Sequence, residues 1–70
     1  MDRNEELLIN KYNPKRYSIH SYRSDITSNG DSILDVSFLD NKTGHISIEE
    51  FNTDDEPDIY NFILKYYEFI

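Results

Sequence analysis

The stretch 32-SILDVSFLDNKTGHISIEEF-51 decides the fold, because two alternating segments flank a short polar turn. Apolar residues at every second position are typical of β-strands that bury one face. The residues predicted to face the core from these two strands are Leu34, Val36, Phe38, Ile46 and Ile48. In the second strand we therefore expect His45, Ser47 and Glu49 to face solvent. The pattern predicts a β-hairpin.

The turn of this hairpin resembles the calcium loop of an EF-hand, which requires oxygen ligands at positions 1, 3, 5, 7, 9 and 12 and a glycine at position 6. With Gly44 at position 6, position 1 is Leu39, which has no side-chain oxygen. With Asp40 at position 1, position 3 is Lys42, an ammonium in place of a carboxylate. We expect no metal or other cofactor here, and we interpret Gly44 as the residue that supplies positive φ to a turn.

The segments before this hairpin predict a helix and a further strand. Residues 2–12 have apolar residues at helical spacing and acids in the first turn, and the Asn-Pro pair at 13–14 ends the helix. Residues 15–26 alternate as a strand. The Asn-Gly pair at 29–30 predicts a type I′ turn into the next strand.

The segment 53-TDDEPDIYNFILKYYEFI-70 predicts a second helix that runs to the last residue. Two starts are open: a capping box formed by Thr53 and Glu56, or Asp55 as N-cap with Pro57 in the first turn. The core-facing stripe at helical spacing consists of Ile59, Phe62, Ile63, Tyr66 and Ile70.

A second apolar stripe on this helix consists of Tyr60, Leu64 and Tyr67. Packing against the first helix would cover it. Alternatively, a partner groove or a second copy of the chain would cover it, as exposed apolar patches rimmed by charge often bind proteins.

The element order predicts an α+β fold, helix, three-stranded antiparallel β-meander, helix (αβββα), with both helices on one face of the sheet. Residues 1–70 are expected to form a single domain. Double-stranded RNA-binding domains share this order but carry basic residues at the start of the final helix. Here that position reads DDEPD, so we do not expect RNA binding.

Composition limits the chemistry available to the chain. There is no cysteine, so neither disulfides nor thiolate chemistry are available. The start lacks the pattern of a signal peptide and no stretch approaches the roughly 20 apolar residues of a membrane span, so a cytoplasmic location is expected. The histidines, His20 and His45, are predicted on the solvent sides of separate strands. Without a cleft to hold a nucleophile and a base together, we expect no enzymatic activity.

Charge is unevenly distributed along the chain. Residues 1–24 carry a net charge of +2, whereas residues 25–70 carry −9. Direct nucleic-acid binding is disfavoured, because lysine and arginine supply most of that affinity, and a basic protein surface is the electrostatic complement. The predicted partner-binding acids are Asp31, Asp35, Asp40, Glu49, Glu50, Asp54, Asp55, Glu56 and Asp58.

In its layout, with an early helix, a three-stranded sheet and acidic loops, the chain resembles small acidic inhibitors encoded by phages and mobile elements, including some anti-CRISPR proteins. The resemblance implies a stoichiometric inhibitor that occupies a basic DNA-, RNA- or PAM-binding groove of a host defence protein such as a CRISPR effector. The alternative is a structural, regulatory or immunity-type interaction module that uses the stripe Tyr60, Leu64 and Tyr67.

Overall fold

The computed structural model describes residues 2–70 and confirms the predicted αβββα order. Its elements are α1 (Arg3–Lys11), β1 (Tyr17–Ile26), β2 (Ser32–Asp40), β3 (Ile46–Asn52) and α2 (Ile59–Tyr66). The strands form one antiparallel sheet in the order β1-β2-β3. No helix in the described part of the chain is long and apolar enough to cross a membrane.

Helix α1 begins and ends where the sequence predicts. The Asp2 side chain accepts a hydrogen bond from the Glu5 N–H at 2.8 Å, and the Glu5 carboxylate accepts one from the Asp2 N–H at 3.1 Å. This reciprocal capping box satisfies two N–H groups that lack partners within the helix. At the other end, Tyr12 caps the helix just before the Asn-Pro pair.

The β1–β2 turn is a hairpin, as predicted, but its predicted type I′ geometry is wrong. Gly30 has φ +86°, while no residue other than glycine has positive φ in residues 2–70. The Gly30 N–H donates to the Thr27 carbonyl, and the Thr27 N–H donates to the Asp31 carbonyl. These bonds define a three-residue loop in which Gly30 follows a type I turn, so only one position requires positive φ.

The β2–β3 turn is the predicted hairpin with Gly44 at positive φ (+80°). The Asp40 N–H donates to the His45 carbonyl at 2.8 Å, which closes a four-residue loop. Inside the loop, the Asp40 carboxylate accepts hydrogen bonds from the N–H groups of Lys42 and Thr43. The aspartate that suggested a calcium ligand thus stabilises the turn.

Both helices pack on one face of the sheet, as predicted. The ring of Tyr12, which caps α1, stacks on Phe38 of β2 with centroids 4.3 Å apart, and the ring of Tyr67, just after α2, contacts the same Phe38 at 5.4 Å. The buried apolar residues are Leu8, Tyr12, Ile19, Leu34, Val36, Phe38, Ile59, Phe62, Ile63 and Tyr67. The predicted inward face of β2 is therefore confirmed.

The predicted faces of β3 are wrong. Ile46 is 42% exposed and Ile48 69% exposed, on the sheet face that no helix covers. The register pairs Phe38 with Ser47 and Val36 with Glu49. Directly opposed residues share a face, so the residues of β3 on the helix side are Ser47, Glu49 and Phe51. The four-residue loop sets this register, and a change of one residue in pairing would exchange the two faces.

The start of α2 differs from both predicted caps. The Thr53 hydroxyl donates to the Ser32 carbonyl, and the Asn52 side chain accepts hydrogen bonds from the N–H groups of Asp54 and Asp55. These contacts hold the segment before α2 in turns. The helix therefore begins at Ile59, after Asp58, whose side chain forms no capping bond.

The end of α2 also differs from the prediction, because the chain leaves the helix after Tyr66 and becomes extended at Tyr67. Ile19 of β1 donates to the Glu68 carbonyl at 2.8 Å and accepts from the Ile70 N–H at 3.1 Å. The last residues thus form a short parallel bridge on the outer edge of β1.

This change of backbone alters which side chains reach the core. Tyr67 turns inward and is buried, whereas Tyr66 and Ile70, both predicted in the core stripe, are exposed. Ile70 lies past the true end of the helix, so helical spacing does not apply to it. Tyr66 is the last residue of α2, and its ring contacts Phe62 while remaining exposed.

Candidate partner-binding surfaces

The two helices run in the same direction, so their N-terminal ends share one end of the molecule. Asp2 and Glu5 of α1 line a depression of about 100 Å³ together with residues 55–59, which lead into α2. At the opposite end, the Tyr67 hydroxyl donates to the Tyr12 carbonyl at the C-terminus of α1.

Six carboxylates gather where the helices begin, and we call this surface the acidic end. Five members line the depression, namely Asp2, Glu5, Asp55, Glu56 and Asp58, and the exposed Asp54, which directly precedes Asp55, is included as the sixth. No ion pair joins these carboxylates to a side chain of residues 2–70. The positive ends of two helix dipoles compensate part of the charge, but this effect falls off within the first turn.

Glu56 shows that negative charge at this end is incompletely compensated. Partial burial raises the pKa of its carboxyl, and the neighbouring carboxylates of Asp2, Asp55 and Glu5 raise the pKa further. Both causes disfavour the ionised form. A cationic group from a partner would relieve the repulsion.

Basic side chains concentrate toward the opposite end of the sheet. Lys11 lies in the last turn of α1, Lys15 and Arg16 follow it, and Lys42 lies in the β2–β3 turn. The Asn41 N–H donates to the Arg16 carbonyl, which places the two connections side by side. The charge asymmetry of the sequence thus becomes an asymmetry in space.

Asp40, predicted to bind a partner, is instead buried and bound internally. Its carboxylate accepts two hydrogen bonds from the Arg16 guanidinium, at 3.0 and 2.7 Å. This contact, with the turn N–H groups of Lys42 and Thr43, holds the pKa of the Asp40 carboxyl well below its usual range, although burial opposes the shift. Asp40 is therefore not part of the exposed acidic surface.

Glu49, also predicted to bind a partner from the solvent-facing side of β3, lies under α1. Its carboxylate accepts hydrogen bonds from Lys11 Nζ at 2.8 Å and from the Tyr12 hydroxyl at 2.6 Å. These two contacts, that of Lys11 first, lower the pKa of the Glu49 carboxyl. Glu49 thus connects β3 to the C-terminal end of α1 through side-chain hydrogen bonds.

The three remaining predicted acids lie on the hairpin and the open sheet face. Asp31 is exposed in the β1–β2 turn. Asp35 is half-buried opposite the exposed Glu50, and Arg23 Nη2 approaches the Asp35 carboxylate only to 4.0 Å. Glu50 lines a shallow depression with Asp55 and Glu56, so it extends the acidic end onto β3.

The predicted apolar stripe is divided by the end of α2. Tyr60 and Leu64 are 38% and 46% exposed, whereas Tyr67 is buried at 5%. Tyr22 of β1 contacts Tyr60, with ring centroids 5.3 Å apart, and Phe69 at 5.7 Å. We call Tyr22, Tyr60, Leu64 and Phe69 the aromatic patch. Sequence periodicity missed Tyr22 and Phe69, because Tyr22 lies in β1 and Phe69 in the segment that pairs with β1, so neither belongs to a helical stripe.

Residues 2–70 contain no group of three or more histidine, aspartate or glutamate side chains placed to hold a metal ion. No known protein family, curated protein or solved structure matches the chain. What the protein binds is therefore inferred from the chemistry of its surfaces.

Proposed function

We propose that this is a small non-enzymatic, cytoplasmic binding protein that acts as a stoichiometric inhibitor. It docks its acidic end on a basic, nucleic-acid-binding groove of a host defence or DNA-handling protein, in the manner of an anti-CRISPR protein or DNA mimic. The observation that supports this proposal is the gathering, at one end of the molecule, of carboxylates that form no ion pair with residues 2–70.

The proposed mechanism is competition for the same basic side chains. A groove that binds nucleic acid presents lysine and arginine to phosphates. Carboxylates on a rigid scaffold accept charge-assisted hydrogen bonds from the same side chains. The turns around Asn52 fix the backbone of Asp54 and Asp55, so little ordering is needed on binding. Occupation of the groove then excludes nucleic acid.

The proposal is tested by displacement of a fluorescently labelled target duplex from a purified RNA-guided CRISPR effector, followed by fluorescence anisotropy. We expect release of the duplex near one equivalent of inhibitor. Between about 50 and 500 mM NaCl, direct binding to the effector without duplex should weaken steeply, because salt screens exposed charges. A panel of effectors from different classes is titrated, and no displacement from any of them would reject the CRISPR form of the proposal.

A matched pair of variants separates the acidic end from net charge. Asp54→Lys/Asp55→Lys and Asp25→Lys/Glu68→Lys change the net charge equally, and all four residues are exposed. We expect the first variant to lose displacement by at least about tenfold and the second to retain it, since only the first alters the acidic end. Equal losses would show that position on the surface does not matter.

The aromatic patch favours a second candidate, a structural, regulatory or immunity-type interaction module. Four half-exposed apolar side chains lie side by side there, as in protein interfaces. Binding through this patch, to a partner or to a second copy, should persist in high salt and fail in Leu64→Glu. The same titrations therefore distinguish the two candidates.

A further inference from the structure

The outer edge of β3 is an unpaired strand edge in the described part of the chain. Strand β3 pairs with β2 on one side only. The Asp40 N–H donates to the His45 carbonyl and the Thr53 N–H to the Ser32 carbonyl, so the odd-numbered residues of β3 bond to β2. In an antiparallel ladder the alternate residues direct their backbone groups away. The N–H and C=O groups of Ile46, Ile48 and Glu50 therefore point outward.

Side chains that suit an added strand line this edge. Ile46 and Ile48 are exposed on the open sheet face, where Leu39 lies opposite Ile46. Glu50 follows at the end of β3 nearest the acidic end. Proteins usually protect such an edge with lysine, proline or a covering segment. The other edge of the sheet is partly covered in this way, because residues 68–70 bond to Ile19 of β1.

We propose that β3 binds an extended segment of a protein partner as a fourth antiparallel strand. In this arrangement a partner residue faces each of Ile46, Ile48 and Glu50, with its side chain on the open sheet face. Apolar residues would oppose the two isoleucines, and a basic residue would oppose Glu50. Antiparallel addition fixes the order: the basic residues come first and the alternating apolar residues follow.

Charge and area favour such a segment over a second copy of this chain. A second copy carries a net charge of −7 and would bring another Glu50 to the same edge. Three outward-facing residues also provide far less than the roughly 1,200 Å² of a stable protein interface. An extended segment needs only the backbone bonds and alternate side-chain contacts. The inference relies on the proposed function for the basic character of the partner, whereas the strand pairing is independent of it.

The probe is an end-blocked peptide in which Lys-Arg-Lys precedes Val-Thr-Val-Thr-Val. Binding is followed by NMR, with amide hydrogen exchange as the direct readout. In the free protein we expect fast exchange at Ile46, Ile48 and Glu50 and slow exchange at Ser47 and Glu49. Saturating peptide should slow exchange at the first three amides by at least about tenfold, since each acquires a hydrogen-bond partner.

Two controls test the backbone pairing without depending on the peptide's charge. The same peptide N-methylated at the arginine and the first two valines keeps its side chains but cannot donate to β3, and it should bind at least about tenfold more weakly. Ile48→Pro removes an outward N–H while leaving the bonds to β2, and should weaken binding similarly. Ile48→Thr, which keeps that N–H, should bind more tightly than Ile48→Pro.

Four results would overturn the inference: no binding, no effect of N-methylation, peptide shifts confined to the aromatic patch, or concentration-dependent protection of the free edge. The last result would identify a second copy as the occupant. The proposed function fails separately, if Asp54→Lys/Asp55→Lys leaves duplex displacement unchanged. Sensitivity to N-methylation and sensitivity to charge reversal thus report on different claims.

Discussion

Asp40 shows how one carboxylate stabilises a hairpin and connects it to a neighbouring loop. It accepts hydrogen bonds from two turn N–H groups and from the guanidinium of Arg16. Because its pKa in the folded protein is lowered, its stabilising contribution is present above the ordinary value of 3.8 and is lost as the pH falls through the lower, folded-state pKa.

We expect Asp40→Asn to lower the Tm at pH 7 by more than about 5 °C, since the charge that pairs with Arg16 is removed. The difference from the native protein should shrink as the pH falls below about 4, because Asp40 in the unfolded chain then becomes protonated while the folded protein still resists protonation. Thermal unfolding followed by circular dichroism at several pH values measures both effects. The control is Asp31→Asn in the exposed β1–β2 turn. Equal effects of the two substitutions would contradict this role of Asp40.

At the scale of elements, α1 and β2 were predictable because local signals determine them. Acids in the first turn and the Asn-Pro pair at 13–14 mark the two ends of α1 in the sequence, and the helix spans Arg3–Lys11 between them. The faces of β3 were not predictable in this way. They depend on how many residues the β2–β3 loop contains, and Ile46 and Ile48 supplied an apolar pattern that the register places on the open face.

The candidate site was predictable to a similar extent. The acids Asp55, Glu56 and Asp58 are close in sequence and line one depression in the structure. The partners of Asp40 and Glu49 are distant in the chain: Arg16 is 24 positions from Asp40, and Lys11 is 38 positions from Glu49. A single sequence gives no signal that pairs carboxylates with cations so distant, so it assigned these two acids to the free surface.

Tyr67 joins the C-terminal ends of the two helices, and its removal is an element-scale test. We expect Tyr67→Phe to lower the free energy of unfolding at pH 7 by about 1 kcal/mol, because the Tyr12 carbonyl loses its donor. Burial raises the pKa of Tyr67 to about 12. Its neutral form is thus favoured by folding, and stability is lost as the pH rises from about 10 to about 12.

In denaturant titrations, Tyr67→Phe should therefore lose less stability than the native protein between pH 10 and 12. Tyr66→Phe is the control, since Tyr66 is exposed in the last turn of α2. If Tyr66→Phe were as destabilising at pH 7, the contact between Tyr67 and Tyr12 would not join the helices.

At the scale of the whole molecule, parallel helices and antiparallel strands separate charge along the structure. Each passage of the chain returns to one of two ends, so the acids that precede α2 lie beside those at the start of α1. Lys11, Arg16 and Lys42 lie in or next to the connections at the other end. Like charges are thus concentrated at the proposed binding surface, which should lower the stability of the protein when no partner is bound.

Glu56 tests whether the acidic end carries this cost. Its folded-state pKa is raised, so its carboxyl stabilises the fold when protonated, below about pH 4.5, and this contribution is lost as the pH rises through the folded-state value. Glu56→Gln should therefore raise the free energy of unfolding at pH 7 by up to about 1 kcal/mol and have little effect at pH 3.

The NaCl concentration is the second variable of the same experiment. Raising NaCl from about 20 to 500 mM should stabilise the native protein more than it stabilises the Glu56→Gln variant, because salt screens the repulsion that the substitution has already removed. Glu68→Gln, at an exposed position after the end of α2, is the control and should reproduce neither the gain nor the reduced salt dependence. A loss of stability in Glu56→Gln at pH 7 would mean that neighbouring groups stabilise the Glu56 carboxylate in the folded protein. The charges of the acidic end would then not lower the free energy of unfolding.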